Sequence, residues 1–148
     1  MKKVRRPVKQ IYHLSSENHN GEIFYPRVPQ CVFMSLMYGE YDEDIRKKRI
    51  CFSTGICGAF RAIKQDSGYR KMYVHIPENL NEIIQKQKLY QPSVKEVFDC
   101  KQTRELWVRC PVRMKCVACI SIGCSPYGRD EKIKFKYLWK DENYKRRL

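Results

Sequence analysis

Two cysteines have a spacing that could bind a metal ion. Cys116 and Cys119 form a Cys-x-x-Cys pair, which is half of many zinc sites. The pair lies in the apolar, β-branched segment "KCVACISIG", which predicts a β-strand. Side chains three residues apart in a strand point to opposite faces, so we predict buried core cysteines and no metal site. The alternative is a small zinc-binding nucleic-acid protein with Cys110, Cys116, Cys119 and Cys124 as ligands.

The three histidines are candidates for acid, base or donor roles. His13 ends a short run of β-formers, "QIYHLSS", beside two hydroxyl side chains. His19 follows in a turn, and His75 lies within a predicted strand on the face opposite Met72 and Val74. For His75 a structural or solvated role is expected. For His13 both a structural and a chemical role remain open.

Several common catalytic motifs are missing from the sequence. It contains no G-x-G-x-x-G, no G-x-x-x-x-G-K-[ST] and no H-E-x-x-H. The Rossmann fingerprint, the P-loop and the zinc-protease helix are therefore excluded as sources of function.

Three other segments place polar residues at the ends of predicted strands. The first, "IYHLSSENHNGEIFYPRVP", carries His13 and then an extended, proline-containing path. The second, "RICFSTGICGAFRAI", reads as strand, polar turn and helix, with Ser53 in the turn. The third, "TRELWVRCPVRMKCVACISI", contains a predicted strand with Glu105 at its start, a bend at Pro111 and a further apolar strand.

In this order the segments resemble the diphtheria-toxin/PARP-like ADP-ribosyltransferases, the class with a His-Tyr-Glu signature. The first is similar to the family's "YHGT" strand and to the downstream Gly-x-x-x-x-Pro of the small rifampin ADP-ribosyltransferases. The second is similar to the "G-[IL]-Y-F-A…S-x-x-A" strand and helix, and the third to the "N-E-Y-[IV]-V-Y…Q-V" strand. The resemblance covers about residues 10–64 and 96–123.

The resemblance implies an NAD cleft between two small sheets and transfer of ADP-ribose from NAD to an acceptor. Glu105 would stabilise the cationic ribose as nicotinamide leaves, and His13 would orient that ribose. Arg27, in "YPRVP", could hold a pyrophosphate. The full set of candidate NAD-binding residues is His13, Leu14, Ser15, Arg27, Cys51, Phe52 and Ser53.

Two positions depart from the family pattern. Leu14 stands where the family has glycine after the histidine, and Cys51 stands where it has the stacking tyrosine. Phe52 is adjacent but is expected to point into the core. The alternative function is therefore a catalytically inactive, basic binding protein on the same fold, which would block a nucleic-acid machine.

The charge of the chain favours an anionic partner. Lys and Arg number 30 against 16 Asp and Glu, a formal charge of +14 over 148 residues. Nucleic acid, or a protein associated with it, is the expected acceptor. The resemblance and the short chain together suggest a phage or mobile-element effector.

No segment has the apolar length of a signal peptide or a membrane span, so we expect a cytoplasmic protein with reduced thiols and no membrane partner.

The predicted elements define a single α+β domain over 1–148. Apolar residues at Ile56, Ala59, Phe60 and Ile63 have the i, i+3, i+4, i+7 spacing of an amphipathic helix. Segment 30–49 is expected to be a loop, with 38–49 facing the target, and basic loose ends are expected at about 1–9 and 141–148. The remaining predictions are strands over 10–16, 49–52, 70–78 and 131–140, two strands within 103–123, and a helix over 81–91.

Overall fold

The computed structural model describes residues 1–28, 46–63, 68–97, 100–124 and 132–144. Within these ranges the chain is a mixed α+β structure of two antiparallel sheets and three short helices, which confirms the predicted α+β class. Most of the expected loop 30–49 lies outside the described residues. The strands are β1 Lys2–Lys3, β2 His13–Ser15, β3 Ile23–Phe24, β4 Ile50–Ser53, β5 Gly68–Pro77, β6 Leu89–Gln91, β7 Glu105–Val108, β8 Val112–Cys124 and β9 Ile133–Lys140; the helices are α1 Ile56–Ile63, α2 Leu80–Gln85 and α3 Cys100–Thr103.

The first sheet has the strand order β1-β6-β7-β4. At one edge of the sheet β4 pairs with β7, and in this pair Ser53 lies opposite Glu105 and Cys51 lies opposite Trp107. Because opposite residues of an antiparallel pair share a face, these four side chains lie on one side of the sheet. The alternate residues, such as Phe52 and Leu106, are buried on the other side in a core shared with α2 and the first half of β8.

The second sheet has the order β2-β5-β8-β3, and β9 pairs with the second half of β8. One face packs against α1 and forms the other main core, which includes Leu14, Phe60 and Ile120. The helix covers this face because its apolar residues recur on one side, as the spacing predicts.

A short bridge joins the two sheets. The N–H of Tyr12 donates to the carbonyl of Ser53 at 2.8 Å, and the N–H of Ser53 donates back at 2.9 Å. The segment before β2 therefore runs beside β4, so the histidine strand and the glutamate sheet belong to one continuous structure.

Some residues of the segments that we predicted to be loose belong to the fold. Lys2–Lys3 pair with β6, and Val4 is buried in the core of the first sheet. Tyr144 is also buried, in the core under α1. The prediction of loose ends was wrong for Val4 and Tyr144 for the same reason. A single apolar residue in a basic segment produces no periodic pattern in the sequence, but it can still pack into the core of a neighbouring sheet.

The region after β5 also differs from the prediction. The predicted helix over 81–91 is shorter, ending at Gln85, and the chain then turns through Gln87, which has a φ of 56°. Residues Leu89–Gln91 form β6 at the centre of the first sheet instead. Strand pairing with β7 and β1 on either side outweighs the helical preference of this short segment.

The helices in the described part of the chain are all short, and none has the length and apolar character needed to cross a membrane.

Candidate active site at Glu105

Glu105 is a buried carboxylate at the first position of β7. Its exposed fraction is 6%, and the indole Nε1 of Trp107 donates a hydrogen bond to its Oε1 at 2.8 Å. Residues two apart in a strand share a face, so the sequence "ELW" itself places the donor beside the acceptor. A hydrogen bond to a charged group is stronger than a neutral one and fixes the carboxylate in one orientation.

The backbone before Glu105 reverses direction sharply. Arg104 follows α3 and has a φ of 53°, the left-handed conformation common just after a helix. Its carbonyl accepts a hydrogen bond from the N–H of Thr54 at 3.2 Å. The turn between α3 and β7 is therefore tied to the turn between β4 and α1, and both turns meet at the carboxylate.

Ser53 holds these two turns together. Its hydroxyl donates to the carbonyl of Thr103 at 2.6 Å and accepts from the N–H of Gly55 at 3.3 Å. The side chain is buried, so its polar atom faces α3 rather than an open cleft. Gly58 completes the junction, because a Cβ at this position would lie 2.6 Å from the Ser53 hydroxyl and closer still to the carbonyl of Thr103.

Cys51 lies on the same face as Glu105 and keeps solvent-exposed surface. The dense surroundings of the thiol raise the pKa of Cys51, and the neighbouring Glu105 carboxylate raises it further, against the opposing effect of Arg49. The thiol is therefore neutral at pH 7. It is suited to donating a weak hydrogen bond and is unsuited to acting as a nucleophile.

Arg49 and Trp107 are site residues that our sequence reasoning missed. Arg49 is 2% exposed, and its guanidinium carbon lies 4.3 Å from the centroid of the Trp107 ring. Its Nη1 donates to the carbonyl of Lys47 at 3.1 Å. Positions 49, 51 and 53 alternate along one strand, and positions 105 and 107 alternate along another. This alternation could have identified Arg49 and Trp107 as site residues only if the pairing register of β4 and β7 had been known.

A pocket of about 360 Å³ opens beside Glu105. Three exposed cations, Arg6, Lys101 and Arg104, line it together with Thr54. A carboxylate with cations around it suits a ligand that carries both hydroxyl groups and phosphates, because the carboxylate accepts from hydroxyls and the cations bind phosphate oxygens.

His13 is not part of this arrangement. Its Nδ1 lies 3.2 Å from the carbonyl oxygen of Cys51, and its ring makes edge contacts with Phe24 and Phe52 at centroid distances of 5.5 and 6.0 Å. Since Phe52 points away from the Glu105 face of β4, His13 lies on the opposite side of that strand. The structure therefore does not bring His13 and Glu105 together across one cleft.

The three histidines instead gather in one cluster. The ring of His75 lies 6.2 Å from that of His13 and 5.5 Å from that of His19, and its Nε2 accepts a hydrogen bond from the His19 N–H at 2.9 Å. Burial lowers the pKa of His75 to about 4, with the charges of the neighbouring histidines adding to the effect. Burial is also the largest cause of the lowered pKa of His13. His75 is thus a neutral structural histidine.

The other candidate residues occupy varied positions. Leu14 is buried in the core under α1, and the hydroxyl of Ser15 lies 3.0 Å from Nε2 of His19. Arg27 is exposed and pairs through its backbone with Arg49, with N···O distances of 3.1 and 3.0 Å. Of the candidate set, the structure gathers Cys51, Ser53 and Glu105 on one face.

No metal-binding arrangement is found among the residues that the structure describes. No group of three His, Cys, Asp or Glu side chains there could hold a metal ion. The cysteines of the zinc alternative are free thiols, and Cys116, Cys119 and Cys124 are buried in β8.

Comparison with known proteins gave no match. No family model matches the chain, and no significant match was found among curated proteins or among solved structures.

Proposed function

We propose that the protein is an NAD-dependent ADP-ribosyltransferase that modifies nucleic acid or a nucleic-acid-associated protein. The observation that carries the proposal is Glu105, a buried carboxylate held by the Trp107 indole in a pocket lined by Arg6, Lys101 and Arg104. The resemblance of three sequence segments to the ADP-ribosyltransferases supports the same assignment. The formal charge of +14 favours an acceptor that is, or carries, nucleic acid.

In this mechanism one group of residues would stabilise charge and another would orient the substrate. NAD would supply a ribose whose bond to nicotinamide breaks with development of positive charge. Glu105, fixed in place by the indole before substrate binds, would stabilise that charge and accept a hydrogen bond from a ribose hydroxyl. The three cations would bind the pyrophosphate. Cys51, which shares the sheet face of Glu105 but does not line the pocket, stands where the family has its tyrosine. His13 has no role in this mechanism, because it lies on the other side of β4.

Nicotinamide release from NAD by the purified protein, with and without host lysate, tests the proposal. Glu105→Gln keeps the shape of the side chain and removes its charge, and we expect it to reduce release at least 100-fold. Glu142→Gln makes the same change at an exposed carboxylate that does not line the pocket and should leave release unchanged. Equal release by the two variants would contradict the proposal, as would no release combined with no effect of NAD on the melting temperature.

A second candidate is a non-catalytic binding protein. The observation that favours it is the position of His13 and Leu14, which contact the cores instead of an NAD cleft. Such a protein would bind polyanions with an affinity that falls steeply as salt rises, and NAD would change neither its affinity nor its stability.

A further inference from the structure

The solvent face of the second sheet has a regular arrangement of side chains. The register places Tyr73, Cys119 and Trp139 in one row across β5, β8 and β9. The next row contains Lys71, Ser121 and Lys136, and the one after it contains Tyr69, Gly123 and Lys134. Opposite residues point to the same face, so all nine side-chain positions lie together, away from the core under α1.

The central strand makes this face a groove. Its three positions carry the small residues Cys119, Ser121 and Gly123, while the flanking strands carry aromatic residues and lysines. Two strand spacings separate β5 from β9, so the walls stand about 9.5 Å apart. We call this the β8 groove; its floor is Cys119 and Ser121, and its walls are Tyr69, Lys71, Tyr73, Lys134, Lys136 and Trp139. The backbone of Gly68 closes the floor at Gly123, where a Cβ would clash with the Gly68 carbonyl oxygen.

The walls are accessible and their charge has one sign. Tyr69 is 59% exposed and Trp139 is 49% exposed, and the three wall lysines are also exposed. The nine positions include three lysines and no acidic residue. Lys71 Nζ lies 5.4 Å from the centroid of the Tyr73 ring, so cationic and aromatic groups are already interleaved.

One end of the groove deepens into a pocket. Its volume is about 390 Å³, within the range of small-ligand sites. Tyr73 and Trp139 supply two aromatic rings there on either side of Cys119, and Lys71 supplies a cation. The remaining lining residues are Asn18 and Leu138.

We propose that the β8 groove binds single-stranded nucleic acid. Exposed aromatic rings on a sheet stack unpaired bases, and flanking lysines neutralise the phosphates that follow the strand. Bases in a duplex are already stacked on each other and do not present their faces to Tyr73 or Trp139, so an unpaired strand is the preferred ligand. The groove lies outside the Glu105 pocket and shares no lining residue with it.

The test is fluorescence anisotropy with a labelled single-stranded oligonucleotide and its duplex, using the full chain without NAD. We expect tighter binding of the single strand and about tenfold weaker binding by Trp139→Ala, which corresponds to about 1.4 kcal/mol. Trp139→Phe keeps a stacking ring and should restore most of the affinity. Circular dichroism and the melting temperature of each variant establish that it folds.

Charge is tested separately by the double variant Lys134→Gln/Lys136→Gln. Removing two phosphate contacts should reduce the slope of log affinity against log salt by about 1.4. Lys88→Gln/Lys95→Gln makes the same charge change at two exposed lysines outside the groove and should affect that slope less. Equal effects of the two double variants, no loss on Trp139→Ala, or preference for the duplex would overturn the proposal.

This inference partly deepens the proposed function, since it names the class of nucleic acid that the protein would engage. The two remain distinguishable because Glu105→Gln should abolish nicotinamide release and leave oligonucleotide binding intact. Binding without NAD turnover would support the groove and refute the enzyme; turnover without oligonucleotide binding would do the reverse.

Discussion

The indole of Trp107 donates a hydrogen bond of 2.8 Å to the carboxylate of Glu105, two positions earlier on the same face of the same strand. Both residues are buried, and the guanidinium of Arg49 lies over a face of the indole ring. The carboxylate is therefore oriented by its own strand, independently of any ligand.

The coupling between Glu105 and Trp107 can be measured with a double-mutant cycle. Trp107→Phe removes the donor and keeps an aromatic ring under Arg49, so the variant leaves a buried carboxylate without its indole partner. We expect the free energy of unfolding to fall by about 1.5–3 kcal/mol. Glu105→Gln and the double variant complete the cycle in urea denaturation, and a coupling energy near zero would contradict this account.

The junction of α1, α3 and β4 should not tolerate a side chain at Gly58. Gly58→Ala places a methyl group against the Ser53 hydroxyl and the Thr103 carbonyl, and we expect a loss of about 1–3 kcal/mol in the free energy of unfolding. Gly55→Ala is the matched control, because a Cβ there meets nothing within 4 Å, and it should cost less than about 1 kcal/mol. Equal losses for the two variants would show that the close contact with Ser53 and Thr103 does not determine the cost of a side chain at Gly58.

The thiol of Cys51 should report on the charge of Glu105. Its raised pKa predicts slow alkylation by iodoacetamide near neutral pH, despite its exposed surface. Glu105→Gln removes one cause of the raised pKa, so alkylation of Cys51 should become several-fold faster. Peptide mass spectrometry identifies the site, and Cys110, whose raised pKa has burial as its main cause and does not involve Glu105, should be unaffected. An unchanged Cys51 rate would place the two groups too far apart to interact.

His75 should make the folded state sensitive to acid. Its pKa is about 4 in the fold against an ordinary value of 6.5, so the unfolded chain binds the proton first as pH falls. The stabilisation is present above pH 6.5 and is lost as pH falls towards 4, by about 2 kcal/mol between about pH 7 and about pH 4.5.

His75→Gln isolates this contribution, because glutamine keeps an acceptor for the His19 N–H and does not titrate. Urea denaturation at the two pH values should show a smaller loss for the variant than for the wild type. An equal loss in both proteins would assign the acid sensitivity to carboxylates instead.

The sequence by itself determined the elements with strong local patterns. The amphipathic spacing of α1 predicted Ile56–Ile63, and the apolar runs on either side of Pro111 predicted β7 and β8. The α+β class followed from these elements, because alternation and helical spacing are properties of a few consecutive residues.

Pairing between distant segments was decided by the tertiary structure. The register of β4 against β7 places Cys51, Ser53 and Glu105 on one face, and the bridge from Tyr12 to Ser53 places His13 on the other. A shift of one residue in either pairing would reverse which side chains meet, and no short stretch of sequence contains that information. The burial of Val4 and Tyr144 and the formation of the β8 groove have the same origin, since each depends on which strands are neighbours in the two sheets.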